Sequence, residues 1–99
     1  MVIKVNFGGN YSPDYIYVPN EISLKKYEIR NEFHIWIDNT EDEHPFWCYE
    51  NGVQIGLHYR GDAIVYWLNN YILKNANDKA RLIESFSNKK LDYDLIINL

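Results

Sequence analysis

The sequence predicts an α+β protein with a mainly antiparallel sheet of about five or six strands. Two helices are expected between a central hairpin and the last strand. Three observations carry this prediction. Apolar and polar residues alternate near both ends, as in Ile3, Val5 and Phe7 and again in Tyr93, Leu95, Ile97 and Leu99. Asn51-Gly52, flanked by apolar runs, is a type I′ hairpin signature, because both turn positions need φ > 0. Ile64, Val65, Leu68, Tyr71 and Ile72 recur at helical spacing.

In chain order, Val2–Phe7 reads as a strand that Gly8-Gly9-Asn10 ends. No Lys-Ser/Thr pair or helix start follows those glycines, so they form a turn and not a phosphate loop. Tyr15–Val18 is a short strand closed by Pro19-Asn20. Ile22–Ile29 changes phase at Lys25-Lys26 and fits a bulged strand, with a short helix as the alternative. Arg30-Asn31-Glu32 reads as a turn. Phe33–Asp38 alternates as a strand, with Phe33, Ile35 and Ile37 on one face and His34, Trp36 and Asp38 on the other.

Asn39–Pro45 is a polar loop. In the hairpin Phe46–Glu50 and Val53–Tyr59, a two-residue turn places Glu50 opposite Val53, Cys48 opposite Ile55 and Phe46 opposite Leu57. That face is expected to meet the core. Trp47, Tyr49, Gln54, Gly56 and His58 take the other face, with Trp47 across from Gly56. A helix starts at Gly61-Asp62 with Asp62 as N-cap. After a break at Asn75–Asn77, a second helix is expected over Asp78–Phe86, with Leu82, Ile83 and Phe86 inward. Asn88–Leu91 then leads to a last strand, Tyr93–Leu99.

Ninety-nine residues suit one domain, residues 1–99, with a single modest core. One cysteine precludes an intrachain disulfide and points to the cytoplasm. Neither a signal peptide nor a membrane-spanning run is expected.

The net charge of −4 is local. Between Asn31 and Tyr59 the chain carries Glu32, Asp38, Glu41, Asp42, Glu43 and Glu50 and no Lys or Arg. The same stretch holds all three histidines, the cysteine and two of the three tryptophans. An acidic balance weighs against nucleic acid as ligand, since such binding neutralises phosphates. It suits a basic protein partner, because complementary fields speed encounter and set register.

No catalytic constellation emerges. His34, His44 and His58, taken with Asp38 or Glu43, match no compact metal-binding spacing. Cys48 and His58 fall on opposite hairpin faces, so a nucleophile–base pair is not expected. The carboxylates of Asp38, Glu41, Asp42 and Glu43 sit in a polar loop, without the burial that tunes catalytic acids. Trp36, Trp47, Tyr49 and His58 share one expected sheet face. Either the helices cover that face and Trp67 joins the same core, or it is open to a partner, where Trp and Tyr are favoured anchors.

The run Asp38-Asn39-Thr40-Glu41-Asp42-Glu43 beside Phe46-Trp47-Cys48-Tyr49-Glu50-Asn51-Gly52 resembles, in general design, the small acidic immunity proteins of bacteria. The resemblance implies a non-enzymatic cytoplasmic inhibitor of a basic toxin domain such as a nuclease, with no cofactor or metal. The residues expected to bind the partner are Trp36, Asp38, Glu41, Asp42, Glu43, Trp47, Tyr49 and His58. Nucleic acid, membrane and small-molecule partners are not expected on this reading. The alternative is a ligand-binding or regulatory accessory domain of a mobile element, with a pocket between sheet and helices.

Overall fold

The computed structural model describes residues 1–20, 22 and 25–99. The chain is α+β, with six strands in two sheets among the described residues. The strands are β1 (Val2–Asn6), β2 (Asp14–Tyr17), β3 (Trp47–Glu50), β4 (Val53–Leu57), β5 (Arg81–Glu84) and β6 (Leu95–Asn98). The helices are α1 (Lys26–Ile37) and α2 (Gly61–Trp67), and α2 runs on into a π-helical turn, Leu68–Ile72.

Four strands form one sheet in the order β5-β2-β1-β6, while β3 and β4 form a separate hairpin. The larger sheet is mixed and not antiparallel throughout, because β6 runs parallel to β1. Alternation along a strand buries one face in either direction, so it does not encode this choice. In the ladder Ile3 faces Ile16, and Val5 lies beside Ile97. These four residues are almost fully buried and join Phe33, Ile37, Ile64, Trp67 and Leu68 from the helical layer in one apolar cluster. On the sheet's other face Tyr15 is also buried, beside the segment that carries Lys90, Leu91 and Tyr93.

Three further expectations change in this fold. First, of the residues read as a strand over Phe33–Asp38, Phe33–Ile37 are helical and Asp38 is the C-cap, so one helix precedes the hairpin instead of both following it. Ile29, Phe33, Trp36 and Ile37 are the buried side of α1, at spacings of four, seven and eight residues from Ile29. Ile35, central to the alternating pattern, is 69% exposed. Of the ambiguous stretch Ile22–Ile29, Ser23 and Leu24 lie outside the described residues, and the chain is helical from Lys26.

Second, the helix expected over Asp78–Phe86 is instead β5, which covers the free edge of β2 by pairing Ile16 with Leu82 and Tyr17 with Arg81. The Tyr17 hydroxyl donates to Asp78 Oδ2 at 2.6 Å, fixing the approach to β5. That bond, ahead of other effects, holds the exposed Asp78 carboxyl below its usual value.

Third, Arg60 and not Asp62 is the N-cap of α2, and Arg60 makes no side-chain cap. The cap comes from another strand, since Asp14 on β2 accepts the Gly61 amide at 2.7 Å. Asp62 Oδ1 instead accepts from the Arg60 and Ala63 amides, each at 2.9 Å. A Cβ on Gly61 would lie 3.0 Å from both Cβ and Oδ2 of Asp14, so the absence of a side chain permits this approach.

Candidate functional site: an acidic loop beside a projecting hairpin

The hairpin turn forms as the sequence dictates. Asn51 (φ 51°) and Gly52 (φ 79°) take left-handed conformations, and Glu50 pairs with Val53. Further from the turn the register shifts, so that Tyr49 pairs with Gln54, Cys48 with Gly56 and Trp47 with Leu57. The ladder skips Ile55, which makes a bulge. The predicted pairs Cys48–Ile55, Phe46–Leu57 and Trp47–Gly56 are therefore not formed.

The face expected to meet the core meets it only at the base. Phe46 and Leu57 pack against the apolar cluster, whereas Val53 (62% exposed) and Ile55 (60%) face solvent. Cys48 is half-buried and lies outside the buried core. Tyr49 is exposed at 52%. The hairpin thus projects with large apolar side chains uncovered.

The acidic loop is held against this hairpin by bonds that leave most of its carboxylates free. Asp38 caps the C-terminus of α1 through its backbone amide, which donates to the His34 carbonyl at 3.2 Å. Asn39 Oδ1 accepts the Glu41 amide at 3.1 Å, a local turn that suits Asn. The Trp47 indole N–H donates to the Asp42 carbonyl at 2.9 Å. Gln54 Nε2 donates to the Thr40 carbonyl at 3.0 Å and to the Tyr49 hydroxyl oxygen at 3.3 Å.

His44 locks the base of the loop. It is buried, and Phe46 N–H donates to its Nδ1 at 3.2 Å. Nε2 therefore carries the proton and donates to the Ile37 carbonyl at 2.9 Å. The ring stacks on Trp47 with centroids 5.4 Å apart.

Electrostatically the loop is unbalanced. Asp38, Glu41 and Glu43 are exposed, and Asp42 is half-buried beside the Tyr71 hydroxyl. Among the described residues the one ion pair is Arg60–Asp14, so no Lys or Arg neutralises this group. The C-terminal end of α1 adds partial negative charge at Asp38. Asp38 also acts on the half-buried Tyr59, whose pKa is raised first by burial and then by that negative charge.

The expected partner-binding residues therefore separate. Asp38, Glu41, Asp42, Glu43, Trp47 and Tyr49 belong to the loop and hairpin. Trp36 does not join them, because on α1 its indole packs inward against His44 (4.6 Å between centroids) and Tyr66 (5.9 Å). It is 8% exposed, with its N–H buried and unbonded. His58 is exposed and faces a separate pocket at the hairpin base. Among the described residues no three His, Cys, Asp or Glu side chains are grouped to hold a metal ion, and no helix is long and apolar enough to cross a membrane.

A second constellation escaped the sequence reading. Asp14 is fully buried and gathers four donors: Arg60 Nη2 at 2.5 Å, Gly61 N at 2.7 Å, Phe86 N at 2.9 Å and Ser85 Oγ at 3.2 Å. Burial alone would push its carboxyl up. The bonds from Arg60, Phe86 and Gly61, with the Arg60 charge, outweigh burial and hold it below the ordinary value. The Arg60 guanidinium lies between two rings, 4.2 Å from the Phe7 centroid and 3.8 Å from that of Phe86. The only local hint was a lone Asp at the head of the apolar run Tyr15-Ile16-Tyr17-Val18.

No family model, curated protein or solved structure matches this chain.

Proposed function

We propose that this protein is a non-enzymatic binding protein that docks its acidic loop and projecting hairpin onto a basic protein. The observation that carries the reading is the juxtaposition of an unneutralised carboxylate group with uncovered Tyr49, Val53 and Ile55. Carboxylates at a rim steer encounter, and desolvated apolar anchors slow dissociation. Within this reading the partner is a toxin domain, with a nuclease favoured. Asp38, Glu41, Asp42 and Glu43 pair with the Lys and Arg side chains that would otherwise hold substrate phosphates, and Tyr49 and Trp47 seal the contact. The inhibitor acts by occlusion, in the cytoplasm of the producing cell.

The test uses the protein that co-purifies with the wild-type chain from its source cell. Association and dissociation are measured at low and high salt for wild type, for the combined Asp38→Asn, Glu41→Gln, Asp42→Asn, Glu43→Gln variant, and for Ile55→Asp. Neutralising the loop is expected to cut the association rate about ten-fold at low salt and to flatten its salt dependence. Ile55→Asp is expected to raise the dissociation rate. An association rate indifferent to both salt and neutralisation, or an acidic partner, refutes the reading.

A further inference from the structure

We propose that the pocket around Arg60 is a binding site for a small aromatic carboxylate. The pocket has a volume of about 350 Å³. That is near the lower end of ligand sites, roughly 300–1,000 Å³, and suits one ring with a short acid arm. Four aromatic side chains, Phe7, Tyr11, Tyr59 and Phe86, form its walls, and Arg60 and His58 supply its basic groups. No carboxylate lines it, in a chain whose net charge is −4.

Two residues shape this pocket, Phe86 and Arg60. Phe86 has φ 51°, a left-handed conformation that costs a bulky residue on the order of 1 kcal/mol. The hydrogen bonds that the Phe86 amide donates to Asp14 Oδ1 and the Ser87 amide donates to the Pro13 carbonyl hold it there. The ring nevertheless stays 63% exposed, as does Tyr11 at 71%. The Phe86 ring also lies over the Arg60 guanidinium at 3.8 Å, so an exposed apolar ring and a cation share one wall of the pocket. In addition, the Ser12 carbonyl and Asp14 accept from Arg60 Nη2 and fix the guanidinium at the pocket wall, where the side chain stays 16% exposed.

The chemistry selects the ligand. Aromatic walls favour a planar ring, through stacked or edge contacts. Arg60 favours an oxyanion. Asp14 already balances most of the Arg60 charge, so a monoanionic carboxylate fits better than a doubly charged phosphate. This site is independent of the loop–hairpin surface, and either can fail without the other.

The test is a ¹⁵N NMR titration of the intact protein with phenylacetate, 2-phenylethanol and acetate. Phenylacetate is expected to shift the Arg60 Nε–H resonance and the amides of Tyr59 and Phe86, and to bind about ten-fold tighter than either control. Phe86→Ala and Tyr11→Ala alter exposed rings and are expected to weaken phenylacetate about five-fold while leaving the remaining spectrum folded. Equal affinity for the alcohol, shifts confined to other regions, or folded ring variants with unchanged affinity would overturn the proposal.

Discussion

Replacing Asp14 with Asn tests the central claim about what holds the fold together. The carboxylate ties β2 to the start of α2 through Gly61 and to the end of β5 through Phe86, and it neutralises Arg60, whose side chain is 16% exposed. An amide keeps one acceptor oxygen but sets an NH₂ where Oδ2 or Oδ1 now accepts, and it leaves the Arg60 charge uncompensated. Removing one member of a buried pair costs about 3–5 kcal/mol, and the remaining oxygen limits the loss to the lower end, about 3 kcal/mol. For a chain of this size each kcal/mol is worth roughly 4–8 °C, so thermal unfolding should move down by about 12 °C or more. The effect also depends on pH. The folded Asp14 carboxyl lies below its ordinary value, so its contribution is complete above the unfolded value of about 3.9 and disappears as pH falls through the folded one. Urea unfolding of wild type and Asp14→Asn should therefore give a constant gap near neutral pH that closes in acid. A gap under about 0.5 kcal/mol at neutral pH, or one that persists unchanged into strong acid, refutes the reasoning.

Two further predictions address the placement of the loop and of α1. His44→Phe keeps a ring against Trp47 but leaves the Phe46 amide and the Ile37 carbonyl without their partner, and it should cost about 2 kcal/mol in urea unfolding with a changed near-ultraviolet spectrum. Phe33→Ala should cost about 3–5 kcal/mol, while Ile35→Asp, at an exposed helical position, should stay within about 0.5 kcal/mol; comparable losses at both sites would restore the strand that alternation suggests.

What the sequence made legible follows from the range of each interaction. The turn at Asn51-Gly52 depends on two residues whose own φ preferences decide it, and it formed as read. The bulge at Ile55 does not follow from the turn, and it displaced every pair beyond Tyr49. Over Phe33–Ile37 the strand and helix patterns share both end residues and differ only in whether Ile35 or Trp36 points inward. The helical phase from Ile29 resolves this, but it crosses the apparent turn at Arg30-Asn31-Glu32. Leu82, Ile83 and Phe86 have helical spacing. What makes Arg81–Glu84 a strand is the open edge of β2, far away in sequence. The Asp14 constellation is harder still, because its partners lie 46 to 72 positions along the chain. No local period records such a meeting. The acidic loop was readable because solvent exposure of a polar run needs no distant partner.

The two charged regions make opposite use of their charge. Asp14 and Arg60 spend theirs on each other inside the fold, where desolvation makes an unpaired group expensive. Asp38, Glu41 and Glu43 stand in water without a counter-ion among the described residues, and Asp38 sits at the negative end of α1. Backbone bonds and His44 shape the loop, so its carboxylates are not required to build it. Folding alone would tolerate, and slightly favour, neutral residues at those positions. An arrangement that folding does not demand, set against apolar side chains that folding leaves uncovered, is the combination that electrostatic steering onto a basic partner would use.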